Sequence, residues 1–241
     1  YRILNGVDYN IWNPETDKHL PYHYTINDKS GKYLNKKYLL KHFGIQPNED
    51  IPLIGIVSRM VLQKGFDIFA DAVNELMSLD AQWIILGSGE DRFEDLFRRL
   101  SNQLPGKVGT YIGYNNELSH LIEAGADMFL MPSRYEPCGL NQIYSLKYGT
   151  VPIVRKTGGL ADTVKDWDEQ NHYGFKDGNG FSFYDYSGFA LYKSVERAVN
   201  VFKHKDIWKK IQTNGMKLDF SWARSADKYL ELYKLAKEMR I

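Results

Sequence analysis

The run Ser58-Arg59-Met60-Val61-Leu62-Gln63-Lys64-Gly65 sets two cations on either side of a turn. A guanidinium fork and an ammonium point charge could together clamp a diphosphate. Solvated surface cations are an equally good reading of the same two side chains. Gly65 would let the chain turn tightly into a helix. The spacing is not that of a Walker loop. The densest signal lies further on, in Pro132-Ser133-Arg134-Tyr135-Glu136-Pro137-Cys138-Gly139-Leu140-Asn141-Gln142. Here a carboxylate, Glu136, precedes Gly139-Leu140 at the start of a helix. Free N–H groups at a helix start attract a phosphate, and a neighbouring carboxylate can accept hydrogen bonds from sugar hydroxyls. A capping or solvated acid is the plainer reading of Glu136, but Pro-Cys-Gly is odd for a mere connector and favours a functional loop. Cys138 has no histidine near it in sequence and reads as a small packed residue.

Three further turns carry weaker signals. Gly87-Ser88-Gly89-Glu90 has two of the three glycines of a dinucleotide loop, but Arg92 stands at the third position, so a plain turn is favoured. Gly113-Tyr114-Asn115-Asn116 presents a tyrosine that could stack on a base, although an ordinary core or rim tyrosine is the favoured reading in a chain with 17 of them. Gly158-Gly159 permits close approach either of a ligand or of another stretch of backbone.

All these segments follow short apolar runs. Leu53–Ser58, Trp83–Leu86, Val108–Tyr114, Met128–Met131 and Val151–Val154 read as buried strands. Between them, Gly65–Leu79, Asp91–Leu104, Glu117–Ala124 and Gln142–Tyr148 have helical spacing. Strands alternating with helices imply a doubly wound, Rossmann-like α/β domain with a parallel sheet covered on both faces. Ligands of such sheets sit beyond the carboxyl ends of the strands, where the candidate residues lie.

Residues 1–50 read as irregular, with a short strand at Tyr1–Leu4, turns at Asn5–Asp8 and Trp12–Pro14, and a helix over Lys32–Phe43 closed by Gly44. Residues 51–200 form the core. The remainder is helical, over Phe189–Phe202, Ile207–Met216 and Ala223–Met239. The segment Asp166–Gly180, rich in Gly, Asp and Asn, reads as a mobile loop.

Composition bounds the reading. The chain has 241 residues, 43% of them hydrophobic and 25% charged, which excludes a wholly disordered protein. A net charge of +1 argues against nucleic acid or a membrane surface held by bulk charge. One cysteine excludes an internal disulfide framework and a cysteine-cluster zinc site. No apolar run approaches the roughly 20 residues that cross a bilayer. A chain opening on Tyr1 without a signal pattern is expected to be a cut piece of an intracellular protein.

Taken together, ILNGVDYNIWNP at 3–14, SRMVLQKG at 58–65, GYNNELSH at 113–120, PSRYEPCGLNQ at 132–142 and TGGLADTV at 157–164 resemble the bacterial glycogen synthases and plant starch synthases. The resemblance runs along nearly the whole chain, in the family's order and spacing. It implies a GT-B fold, of which this sequence is similar to the C-terminal, nucleotide-sugar-binding half. The N-terminal domain, with its K-x-G-G-L loop and acceptor groove, would be the missing partner, and the last helix, from Trp222 on, would pack against it. The implied reaction moves glucose from ADP-glucose to the non-reducing end of an α-1,4-glucan with retention, without a metal or other cofactor.

By the same resemblance, Arg59 and Lys64 match the residues that hold the donor diphosphate and stabilise the leaving phosphate. Tyr114 matches an aromatic that stacks on adenine, and Glu136 an acid that contacts the donor glucose. Gly139, Leu140 and Asn141 match the helix start that receives the distal phosphate. Other retaining GT-B enzymes carry a second Glu eight residues after the first. Tyr144 stands there, so a two-carboxylate mechanism of the hydrolase kind is not implied. Two competing expectations are a stand-alone nucleotide- or glucan-binding module and a related enzyme using UDP-glucose. The expected location is the bacterial cytoplasm, or a plastid for a plant enzyme.

Overall fold

The computed structural model describes residues 3–238. Six strands form one parallel sheet: β1 (Leu53–Val57), β2 (Gln82–Gly87), β3 (Val108–Ile112), β4 (Met128–Met131), β5 (Val151–Arg155) and β6 (Phe181–Phe183). Their order is β3-β2-β1-β4-β5-β6. The winding reverses between β1 and β4, where Ile54 pairs with Met128 and Gly55 with Phe129. A doubly wound sheet opens its binding crevice at that reversal.

The continuous apolar runs have a simple cause. Successive strand side chains face opposite sides, and both sides are covered. Ile54, Ile56, Trp83, Ile85, Met128 and Leu130 pack on one face. They meet Phe66 and Phe69 of α2 (Phe66–Asp71), Phe93 and Phe97 of α4 (Asp91–Gln103), and Leu191 and Val195 of α9 (Gly188–Phe202). Leu53, Ile84, Leu86, Phe129, Met131 and Val154 face the other way. These pack on α1 (Ser30–His42), α5 (Asn116–Gly125) and Leu160 of α7 (Gly158–Thr163). The helix α6 (Asn141–Lys147) joins β4 to β5. At the C-terminal end are α10 (Lys205–Met216) and α11 (Trp222–Glu238). No helix among the described residues is long and apolar enough to cross a membrane.

Four expectations need correction. The strand expected at Tyr1–Leu4 lies partly outside the described residues, and Ile3 and Leu4 are irregular. The single helix expected over Gly65–Leu79 is two, α2 and α3 (Val73–Ser78), broken at Ala72. There the backbone leaves helical geometry at φ −104°, ψ 12°. Segment 166–180 is not a plain mobile loop. It contains α8 (Trp167–His172), capped by the Asp166 carboxylate, which also accepts from Ser182 N–H at 2.6 Å and from Arg197 at 2.9 Å. Its polar residues are consumed internally: Asn179 is buried and bonds Lys165 N–H and the Thr163 carbonyl. Finally, β6 was not expected, because a three-residue run is too short to give a periodicity.

Candidate functional site

The exits of β1 and β2 are stitched together by backbone. Met60 N–H donates to the Ser88 carbonyl at 2.8 Å, and Glu90 N–H to the Met60 carbonyl at 2.8 Å. A Cβ at Gly87 would lie 1.9 Å from the Ser58 carbonyl oxygen, and one at Gly89 2.3 Å from that of Met60. The glycine pair therefore serves this close strand contact. The Glu90 carboxylate accepts from Leu62 N–H at 3.1 Å and pairs with Arg92 at 2.7 Å, fixing the loop that carries Arg59 and Lys64. Leu62–Lys64 form one 3-10 turn, and Gly65 follows in the left-handed region at φ +81°. A side chain there would strike the Pro132 carbonyl, at 2.0 Å. The turn thereby delivers Lys64 to the exit of β4.

Lys64 Nζ donates to Glu136 Oε2 at 2.5 Å, and Ser133 Oγ donates to the same oxygen at 3.3 Å. Glu136 is only 7% exposed. Its loop rests on the start of α7: Gly159 N–H donates to the Glu136 carbonyl at 3.0 Å. A Cβ at Gly158 would come 2.0 Å from that oxygen, and one at Gly159 2.0 Å from the Cys138 carbonyl oxygen. Of the two uses left open for Gly158-Gly159, the structure displays the approach of backbone. Gly139, at φ +71°, then turns the chain into α6. The N–H groups of Gly139, Leu140 and Asn141 have no acceptor among the described residues. The Asn141 side chain is already engaged, donating from Nδ2 to the Val57 carbonyl at 2.8 Å.

Two adjoining cavities open at the sheet reversal. One, of about 200 Å³, is lined by Arg59, Lys64, Ser133, Glu136, Gly139 and Leu140, among others. The second, of about 310 Å³, is lined in part by Trp12, Tyr114, Asn116, Glu123 and Tyr144. Arg59 and Asn141 line both. The Arg59 side chain is exposed and forms no ion pair among the described residues, so its fork is open. β3 ends two residues earlier than expected, and Gly113 at φ +140° swings Tyr114 to the rim, 87% exposed. The expected donor-site residues Arg59, Lys64, Tyr114, Glu136, Gly139, Leu140 and Asn141 thus border one or both cavities, whereas Gly89, Cys138, Gly158 and Gly159 border neither.

Other wall residues escaped the sequence. Trp12, read only as part of a turn, is sandwiched between His120 (3.7 Å between ring centres, 8° between planes) and Tyr144 (3.8 Å, 5°). Beneath it, Asp17 Oδ2 bonds His120 Nδ1 at 2.7 Å and accepts from the Tyr148 hydroxyl at 2.5 Å. Burial pushes the Asp17 carboxyl up, but the bonds from His120 and Tyr148 outweigh it and hold the group below the usual carboxylate range. Trp-Asn-Pro was the available signal. Nothing in it marks the tryptophan's partners, more than a hundred residues away. Among the described residues, no group of three His, Cys, Asp or Glu side chains could hold a metal ion.

Residues 40–211 match the family described as glycosyl transferases group 1. The chain belongs to that family. Along its length this group 1 chain is 49% identical over 238 residues to a glycogen synthase of Koribacter versatilis, covering 99% of the chain and 48% of the relative. It is 46% identical over 241 residues to a glycogen synthase of Thermosipho africanus, covering 100% of the chain and 49% of the relative. The chain therefore spans about half the length of these curated relatives. Its fold is similar to the catalytic domain of starch synthase IV from Arabidopsis thaliana bound to ADP and acarbose. The TM-score is 0.88 at 36% identity, covering 95% of this chain and 48% of that one. Anabaena HepE in complex with UDP-glucose shares the fold alone, at TM-score 0.63 and 17% identity, over 88% of this chain and 55% of that one. The GT-B-type sheet expected from the sequence is the sheet observed.

Proposed function

We propose that this chain is the donor-binding half of a glycogen or starch synthase, which transfers glucose from ADP-glucose to the non-reducing end of an α-1,4-glucan with retention. One observation carries the reading: Arg59 borders both cavities, with Lys64, Glu136 and the free N–H groups of Gly139 and Leu140 around one and Tyr114 at the rim of the other. A nucleoside diphosphate sugar has that order of parts. The base lies against Tyr114, the diphosphate between Arg59, Lys64 and the α6 start, and the glucose beside Glu136.

Cleaving the glycosidic bond leaves charge on the departing diphosphate. Fixed cations and backbone N–H groups aimed at that charge stabilise it as it develops. The proposal gives this role to Arg59 and Lys64 without a metal ion, so ADP affinity should be unchanged by a chelator. The acceptor site and the rest of the cleft belong to an N-terminal domain. In support, α11 leaves Trp222, Leu230 and Tyr233 exposed at 51%, 56% and 67%. A cytoplasmic location belongs to the same proposal, which also has this chain alone bind ADP without transferring glucose.

Calorimetry with ADP and UDP tests the donor assignment. ADP should bind more tightly. Tighter UDP binding would move the chain to a UDP-glucose-dependent enzyme, and binding of neither would remove the donor-site reading. Native-rate elongation of glycogen by this chain alone would remove the half-enzyme reading.

A further inference from the structure

The second cavity contains a carboxyl group that the donor-site reading leaves unused. Glu123, on α5, lines it yet is only 1% exposed. Its Oε1 is buried and has no hydrogen-bond partner among the described residues. A buried polar atom without a partner costs about 1–3 kcal/mol, so an orphan at a cavity wall points to a ligand atom.

The neighbouring bonds occupy the other oxygen of the Glu123 carboxyl. Ser145 Oγ lies 2.7 Å from Glu123 Oε2 and 2.8 Å from the Asn141 carbonyl oxygen. A hydroxyl has one proton to give, and a carbonyl can only accept. Ser145 Oγ–H is shared between Glu123 Oε2 and the Asn141 carbonyl, so Ser145 occupies Oε2 and leaves Oε1 without a partner. Burial, the dominant influence, pushes the Glu123 carboxyl well above its ordinary range, against opposing contributions from Ser145 and Lys32. The charge of Lys32 is turned elsewhere: its ammonium donates to the Ala124 carbonyl at 2.9 Å and to Thr150 Oγ1 at 2.5 Å. Glu123 Oε2 is thus spent on Ser145, and Oε1 is the polar atom left unpaired.

We infer that Glu123 Oε1 accepts a hydrogen bond from a ribose hydroxyl of the nucleotide, making Glu123 a specificity-determining residue of the donor site. This rests on the nucleotide-binding reading above. The choice of ribose follows from position. Ser145 ties Glu123 to Asn141, which lines both cavities. Tyr114 takes the base at the outer rim, and Arg59 takes the diphosphate at the junction. The sugar that links them must pass the shared wall. The adenine amine is the other donor on the ligand, and it belongs to the rim.

The test is calorimetry on the native chain, Glu123→Gln and Glu123→Met with four ligands: ADP, ADP lacking the 2′-hydroxyl, ADP lacking the 3′-hydroxyl, and inosine diphosphate, which lacks the amine. Loss of the bonded hydroxyl should weaken binding to the native chain by about tenfold, the scale of one hydrogen bond with its partner left unsatisfied. Glu123→Gln keeps a carbonyl oxygen for the ligand and an N–H for Ser145, so its discrimination should match the native one. Glu123→Met should bind the ribo and deoxy ligands within about twofold of each other, the residual expected once the bond is absent. Native discrimination persisting in Glu123→Met would overturn the inference. So would equal binding of ADP and both deoxy ligands by the native chain, a comparison that needs no variant to fold. Coupling of Glu123→Met to inosine diphosphate alone would move the contact to the base amine and overturn the ribose assignment. Failure of the native chain to bind ADP at all would instead sink the nucleotide-site reading, and this inference with it.

Discussion

Lys64 Nζ lies 2.5 Å from Glu136 Oε2, so the exit of β1 and the exit of β4 meet through one charged contact at the point where the sheet reverses. The pair is mostly buried, with side-chain exposures of 19% and 9%. Arg59, close by, is exposed. The two cations should therefore separate when each is removed. Lys64→Ala strands a buried carboxylate and should cost about 1–3 kcal/mol of stability, whereas Arg59→Ala should stay within about 0.5 kcal/mol of the parent. Both should weaken ADP binding by about tenfold or more, the scale of a charge-assisted bond to phosphate. Thermal unfolding and calorimetry on the two variants check this. Unchanged ADP affinity in both would remove the diphosphate clamp.

Gly158 and Gly159 bring α7 onto the backbone of the Glu136 loop. Gly158→Ala or Gly159→Ala would force a methyl group to within 2.0 Å of a carbonyl oxygen, and neither backbone can yield alone. Each should cost about 2–4 kcal/mol, an overpacking penalty, and should lower ADP affinity by displacing Glu136 and Gly139. Gly106→Ala is the matched control, since nothing lies within 4 Å of a Cβ there. Equal melting temperatures for all three variants would contradict the packing argument.

Strands and site residues were legible in the sequence for one shared reason. A sheet buried on both faces writes itself as apolar runs, and each run ends where the chain must expose polar groups. Arg59, Lys64, Tyr114, Glu136 and Gly139 all stand at such ends. What stayed hidden depends on partners distant in sequence. Nothing local in α1 marks Lys32 and Lys36 as interior, yet both are buried. Lys36 is neutralised by Asp127 at 2.7 Å, while Lys32 is held by the Ala124 carbonyl. Trp12 reads as a turn residue because its stacking partners, His120 and Tyr144, are more than a hundred positions away. Nothing local shows that Glu123 is buried at the wall of the second cavity and bonded to Ser145 of α6. Glycine was legible as a special position but not in its purpose: only the close approaches in the fold tell a backbone contact from a ligand contact.

Trp12 links the segment before α1 to both α5 and α6 by stacking, and it walls the second cavity. Trp12→Ala should cost about 3 kcal/mol, within the range for loss of a large aromatic, and should weaken ADP binding. Trp12→Phe, which keeps a ring between His120 and Tyr144, should recover most of both losses. Unfolding curves and ADP titrations on the pair decide it. An alanine variant as stable as its parent would show the stack to be incidental.

Asp17 gives the same region a pH dependence whose sign can be worked out. Its carboxyl is held below the usual range in the folded chain, because the bonds from His120 and Tyr148 overcome the effect of burial. The unfolded chain therefore binds a proton more readily than the folded one. The stabilising contribution is complete above the unfolded value of about 3.9 and is lost as pH falls through the lower folded value. Asp17→Asn should reduce stability at neutral pH by about 1–3 kcal/mol, since it removes the charge that His120 and Tyr148 face. It should also flatten the acid limb of the stability curve below about pH 4, where the native contribution disappears. Urea unfolding of both chains from pH 3 to pH 7 measures the difference. A gap that stays constant across that range would show that Asp17 does not titrate as the geometry requires.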